Sequence, residues 1–168
     1  MNHDREEDPI VKYVLALFVF CAIAGLMWFG FTRLWRWLGS RLFRPDGADA
    51  ACRFVWCVAY GQTAATMPRT YWIRTKDGSW TDLWGRRVAG QTPHAGACNI
   101  AWCEGMKFWR SALPHEYAHA LYLRIGVDTS SHEHPAFKPG GLVDKATTAL
   151  MEWEEDRERN LTDEAVAS

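Results

Sequence analysis

The pattern of apolar and polar positions divides the chain into three parts. Residues 11–31 read VKYVLALFVFCAIAGLMWFGF, about twenty apolar positions broken only by Lys12 near the outer end. A run that long matches the thickness of a bilayer and is too long for a signal peptide, whose basic start is also missing. The leader is acidic instead (Asp4, Glu6, Glu7, Asp8). The expectation is therefore an uncleaved transmembrane helix over 11–31 preceded by an acidic tail over 1–10. Trp28, Trp35 and Trp37 among Arg33, Arg36, Arg41 and Arg44 read as an interfacial collar on lipid headgroups within segment 32–48. More Lys and Arg follow the span than precede it, which favours a cytoplasmic C-terminal domain, whereas the cysteines argue mildly the other way.

Beyond the turn-rich linker Pro45-Asp46-Gly47-Ala48-Asp49, residues 49–160 read as one domain, closed by a short tail over 161–168. Aromatic-rich runs at 70–74 and 79–84 flank Lys76-Asp77-Gly78, a hairpin signal, and 98–103 reads as a further strand. The alternative is a helix over 49–61 with only the later segments pairing. Leu113, Tyr117, Ala120 and Leu121 recur at helical spacing between a candidate N-cap, Ser111, and a stop, Gly126. Leu142, Val143, Ala146, Leu150 and Trp153 give a closing helix its apolar stripe, with Glu154, Glu155, Arg157, Glu158 and Arg159 as a solvated face. The fold class expected is α+β: a single transmembrane helix, then a few-stranded sheet, a central helix and a C-terminal helix.

The chemistry lies on the central helix. His115-Glu116-Tyr117-Ala118-His119 places two imidazoles four residues apart, on one face and a turn apart. Such a pair can grip one metal ion, with Glu116 beside it to take a proton from bound water. A catalytic zinc site usually needs a third protein ligand. His134 is the first choice, on a polar loop after Gly126 with Pro135 holding it extended and Phe137 packing the loop down. His132, two residues earlier, is its rival or an oxyanion partner, as is Tyr122 in the second role. Asp128 reads as the group orienting a ligand imidazole, and Glu152, Glu154 and Glu155 are more distant candidates.

The formal charge of −1 and the pI near 6.6 give no basic surface for nucleic acid. Cys52 and Cys57, then Cys98 and Cys103, share one spacing, open to two disulfides, to buried free thiols or to a four-cysteine metal site.

Through His115-Glu116-Tyr117-Ala118-His119 the chain resembles the zincin metallopeptidases. Through His134-Pro135-Ala136-Phe137 it is similar to small bacterial and phage-encoded proteins in which His-Pro-x-Phe follows such a helix. The resemblance covers residues 113–137 and implies a Zn2+ ion held by His115, His119 and His134, with Glu116 as general base. It departs from the metzincins, since no HxxGxxH spacing follows the helix. Glu152 and Asp156 give only the bare spacing of a gluzincin ExxxD. The implied function is a membrane-anchored zinc peptidase acting on a peptide, a protein or a cell-wall peptide. The alternative is a non-catalytic accessory or interaction protein in which zinc staples a small fold.

Overall fold

The structure, a computed structural model, describes residues 9–42, 44–107 and 109–167. For residues 9–12, 14–16, 33, 35–42 and 165–167 the backbone alone is described. The described residues fall into two compact units, divided between Leu38 and Gly39.

Helix α1 (Pro9–Leu42) carries the first unit. Among the described residues no helix is long and apolar enough to cross a membrane. That finding overturns the transmembrane helix expected over 11–31 and the single-pass membrane location drawn from it. Among the described side chains the unbroken apolar run covers residues 17–31, fewer than the about twenty that a spanning helix needs. The acidic leader and Arg5 lie outside the described residues. The side chains of Lys12, Trp35, Trp37, Arg33, Arg36 and Arg41, from the span and its expected collar, lie outside them as well.

In the second unit, α2 (Ala48–Arg53) runs into a wider helical turn, Phe54–Ala59. This is the helical alternative for residues 49–61. Its Val55 and Trp56 are fully buried, and the Trp56 indole meets the Tyr117 ring edge-on at 5.5 Å. Five strands follow: β1 (Arg69–Arg74), β2 (Trp80–Thr81), β3 (Arg87–Val88), β4 (Gly90–His94) and β5 (Ala97–Trp102). The expected strand at 98–103 is thus present as β5, but the expected pairing around Asp77-Gly78 is not. β1 pairs in parallel with β5, which pairs antiparallel with β4; β2 pairs with β3 in a separate ribbon. The Asp77 carboxylate accepts from the Ser79 backbone and hydroxyl and holds Arg87 across the ribbon, so this turn leads away from β1. The tight turn comes later. There the Asp82 carboxylate collects the N–H groups of Trp84 and Arg86.

β5 is the central strand, and its Ala97, Cys98, Ile100 and Ala101 are all buried. Small residues on both faces let helix α3 (Trp109–Arg124) approach closely. The Cys98 thiol lies 3.6 Å from the Glu116 carbonyl oxygen on that helix. Helix α3 begins at Trp109, so Ser111 sits inside it rather than capping it. The end falls where expected: Gly126 adopts φ 77° and Val127 N–H returns to Tyr122 C=O, a glycine-terminated helix end.

Helix α4 (Leu142–Ala167) closes the unit and runs on through residues expected as a tail. Val143, Ala146 and Leu150 face the core as the periodicity requires. Glu154 corrects the expected solvated face: it is buried and ion-paired with Arg110 of α3. Among the described residues the architecture is α+β, four α-helices with a small three-stranded sheet and a two-stranded ribbon.

Candidate metal centre

Helical spacing brings His115 and His119 together as anticipated: their Nε2 atoms are 3.2 Å apart. The third imidazole is His132, whose Nε2 stands 3.1 Å from that of His115 and 3.0 Å from that of His119. Among the described residues these are the one set of three or more histidine, cysteine or acidic side chains whose donor atoms lie within 4.8 Å of one another. Three lone pairs converging at that spacing fit a single cation. His115, His119 and His132 could together hold one metal ion and leave it room for a further ligand.

His134 does not join the set. The expectation for it assumed an extended segment, in which His132 and His134 would share a side. Instead His132 takes φ 56° and its N–H closes a turn onto Thr129 C=O. The reversal sends His134 outward, where its ring packs on Tyr122 at 4.2 Å and its Nδ1 accepts the Ala136 N–H at the start of the short turn Pro135–Phe137. Tyr122 is thereby engaged as well. Phe137 packs as expected, but against the imidazoles themselves, its ring 4.4 Å from that of His119 and 5.1 Å from that of His115.

The orienting group is not Asp128, whose carboxylate accepts the Ser130 N–H. It is the neighbouring Thr129, almost wholly buried, whose hydroxyl lies 2.7 Å from His119 Nδ1. With Nδ1–H donating there, Nε2 is left as the lone pair facing the other imidazoles. Burial holds His115 and His119 down to about 4, aided by the neighbouring imidazoles, so both are neutral and ready to ligate near neutral pH.

Glu116 is 7% exposed. Its carboxyl group is pushed up to about 7 by burial, against the opposing effect of a hydrogen bond from Thr92. The Thr92 hydroxyl sits 2.7 Å from Glu116 Oε2 and 2.8 Å from the Glu116 carbonyl oxygen. Gly90, two residues earlier on β4, faces the same carboxyl: a Cβ there would lie 2.7 Å from Oε1 and 2.8 Å from Cδ. Gly90, Thr92, Glu116 and the three histidines line one cleft of about 840 Å3. Thr129, Thr92 and Gly90 carried no signal in the sequence, since each acts through residues distant in the chain.

The remaining candidates lie elsewhere. Glu152 and Glu155 are exposed on α4, and Glu154 is occupied by Arg110. Cys52, Cys57, Cys98 and Cys103 are all free, so the disulfides weighed from their spacing are not formed; Cys52 and Cys98 are buried thiols. Their side chains meet hydroxyl groups instead, Cys52 at Thr70 and Cys98 at Thr92. Compared with protein-family models, with curated proteins and with solved structures, the chain matches none.

Proposed function

We propose that the protein is a zinc-dependent peptidase, with His115, His119 and His132 as ligands and Glu116 as general base. The observation that carries this reading is the convergence of three imidazole Nε2 atoms within 3.2 Å beside a buried glutamate in the same cleft. Three protein ligands leave a coordination position open, as hydrolytic zinc sites require and structural ones do not. When bound, zinc supplies a water of near-neutral pKa and polarises a substrate carbonyl. Glu116 takes the proton of the attacking water and delivers it to the leaving amine. Strand β4 supports a peptide as substrate. It lines the cleft and has β5 on one side and, among the described residues, no strand on the other, so an extended chain can pair along it.

The test combines metal analysis with cleavage of a casein peptide mixture followed by mass spectrometry. The full chain should hold about one zinc and cleave the mixture. Glu116→Gln should keep the zinc and lose at least about a hundredfold in rate. Parental cleavage by Glu116→Gln would refute the assigned base. A folded chain without zinc would remove the reading altogether.

A further inference from the structure

We infer that Gly90 and Thr92 of β4 form a socket that fixes the Glu116 carboxyl group for proton transfer, making them positioning residues of the site. This inference rests on the peptidase reading for its consequence, though not for its geometry. A glutamate has three rotatable bonds, and on a helix face it sweeps a wide arc unless something restrains it. Here the restraint comes from a different element. Residues i and i+2 of a strand share a face, and on β4 Gly90 and Thr92 both meet Glu116. The two do opposite things. At Gly90 the absence of a side chain makes the space that the carboxyl occupies: a Cβ would stand 2.7 Å from Oε1, and closer still to Cγ. At Thr92 a hydroxyl fills the other side, within hydrogen-bond reach of both Oε2 and the carbonyl oxygen of the same residue. The single Thr92 proton goes to one of these oxygens at a time, and the hydroxyl lies against both the head and the backbone of Glu116.

The register makes this more than a chance contact. Gly90 pairs with Ile100 and Gln91 with Asn99 on β5. The Cys98 thiol of β5 lies 3.6 Å from the Glu116 carbonyl oxygen and 3.5 Å from the Thr92 hydroxyl. The central strand therefore backs both partners of the contact. The strand that an extended substrate would pair with also sets the position of the base, so substrate and base share one reference frame. Within a preorganised site, displacement of a reacting group by about 1 Å can cost on the order of a hundredfold in rate.

The experiment uses the full chain, zinc-loaded and carrying 13C-labelled glutamate, as wild type and as Thr92→Val, Thr92→Ser and Gly90→Ala. The Glu116 carboxyl resonance is assigned with Glu116→Gln. Thr92→Val is nearly isosteric and removes only the hydroxyl. Zinc stoichiometry should be unchanged in every variant, since none of the histidines is touched. In Thr92→Val and Gly90→Ala the Glu116 resonance should move towards those of exposed glutamates. The rate constant kcat on the casein peptide mixture should fall about a hundredfold in Thr92→Val with KM within about threefold. Thr92→Ser should recover most of the rate and the original resonance. An unmoved resonance in Thr92→Val, or undiminished kcat once it has moved, overturns the socket. A wild type that moves its resonance as described on mutation but cleaves nothing would uphold the socket and sink the peptidase reading.

Discussion

Exchange of the two loop histidines separates the geometry seen here from the pattern suggested by His134-Pro135-Ala136-Phe137. His132→Ala removes one of three converging nitrogens; His134→Ala removes none. Structural zinc sites with four ligands bind with about 10–16 kcal/mol, so each ligand is worth roughly 3 kcal/mol. His132→Ala should therefore weaken zinc binding by a hundredfold or more, roughly. His134 has other work: its ring lies on Tyr122 and its Nδ1 caps the turn at Ala136. Losing both contacts should cost about 1–2 kcal/mol of stability and leave zinc affinity within about threefold. The assay is competition for zinc with a chromophoric chelator near neutral pH, run beside thermal melts of the metal-free proteins. Zinc binding lost in His134→Ala and retained in His132→Ala would refute the reasoning and restore the ligand set expected from the resemblance.

Thr129→Val keeps shape and removes the hydroxyl that faces His119 Nδ1; zinc affinity should drop about 10–100-fold with little change in fold, measured by the same competition. The metal-free protein should be most stable near pH 6.5. His115 and His119 have folded values of about 4, below the unfolded 6.5, so their contribution is full above 6.5 and is lost as pH falls towards 4. Glu116, raised to about 7 from 4.5, acts in the opposite direction, losing its contribution as pH rises through 7. Between 4.5 and 6.5 the two histidines outweigh the one glutamate, so a Tm profile that falls steadily from pH 5 to 6.5 would contradict these values. Arg110→Met should destabilise the fold by about 3 kcal/mol by leaving Glu154 buried without its partner, and Arg110→Met with Glu154→Leu should regain much of that in denaturant melts.

Two of the three converging histidines were legible because helical geometry is local: a spacing of four determines a shared face whatever surrounds it. The closing helix, with Val143, Ala146 and Leu150 inward, was legible for the same reason. The sheet was not. β1 pairs with β5 across a separation of nearly thirty residues, and no local pattern distinguishes that from pairing with the nearer β2. Between His132 and His134 the choice turns on one backbone angle, and Asp128-Thr129-Ser130-Ser131 announces a turn without giving its hand. Glu154 repeats the lesson on a helix face. Charge patterning placed it in solvent, and only the approach of Arg110 from α3 explains its burial.

The left-handed backbone at His132 sets protein stability and metal affinity against each other at a single position. A residue with a Cβ held at φ 56° costs roughly 1–2 kcal/mol relative to glycine. His132→Gly would relieve that cost in the metal-free chain while deleting a donor from the holo form. If the three imidazoles hold zinc as proposed, stabilising selection applied to the metal-free protein would tend to erase His132, and the histidine would be worth keeping only where the metal is supplied well above its Kd. At about a hundredfold excess over Kd, bound metal would contribute near 2.7 kcal/mol, enough to outweigh the strain at His132.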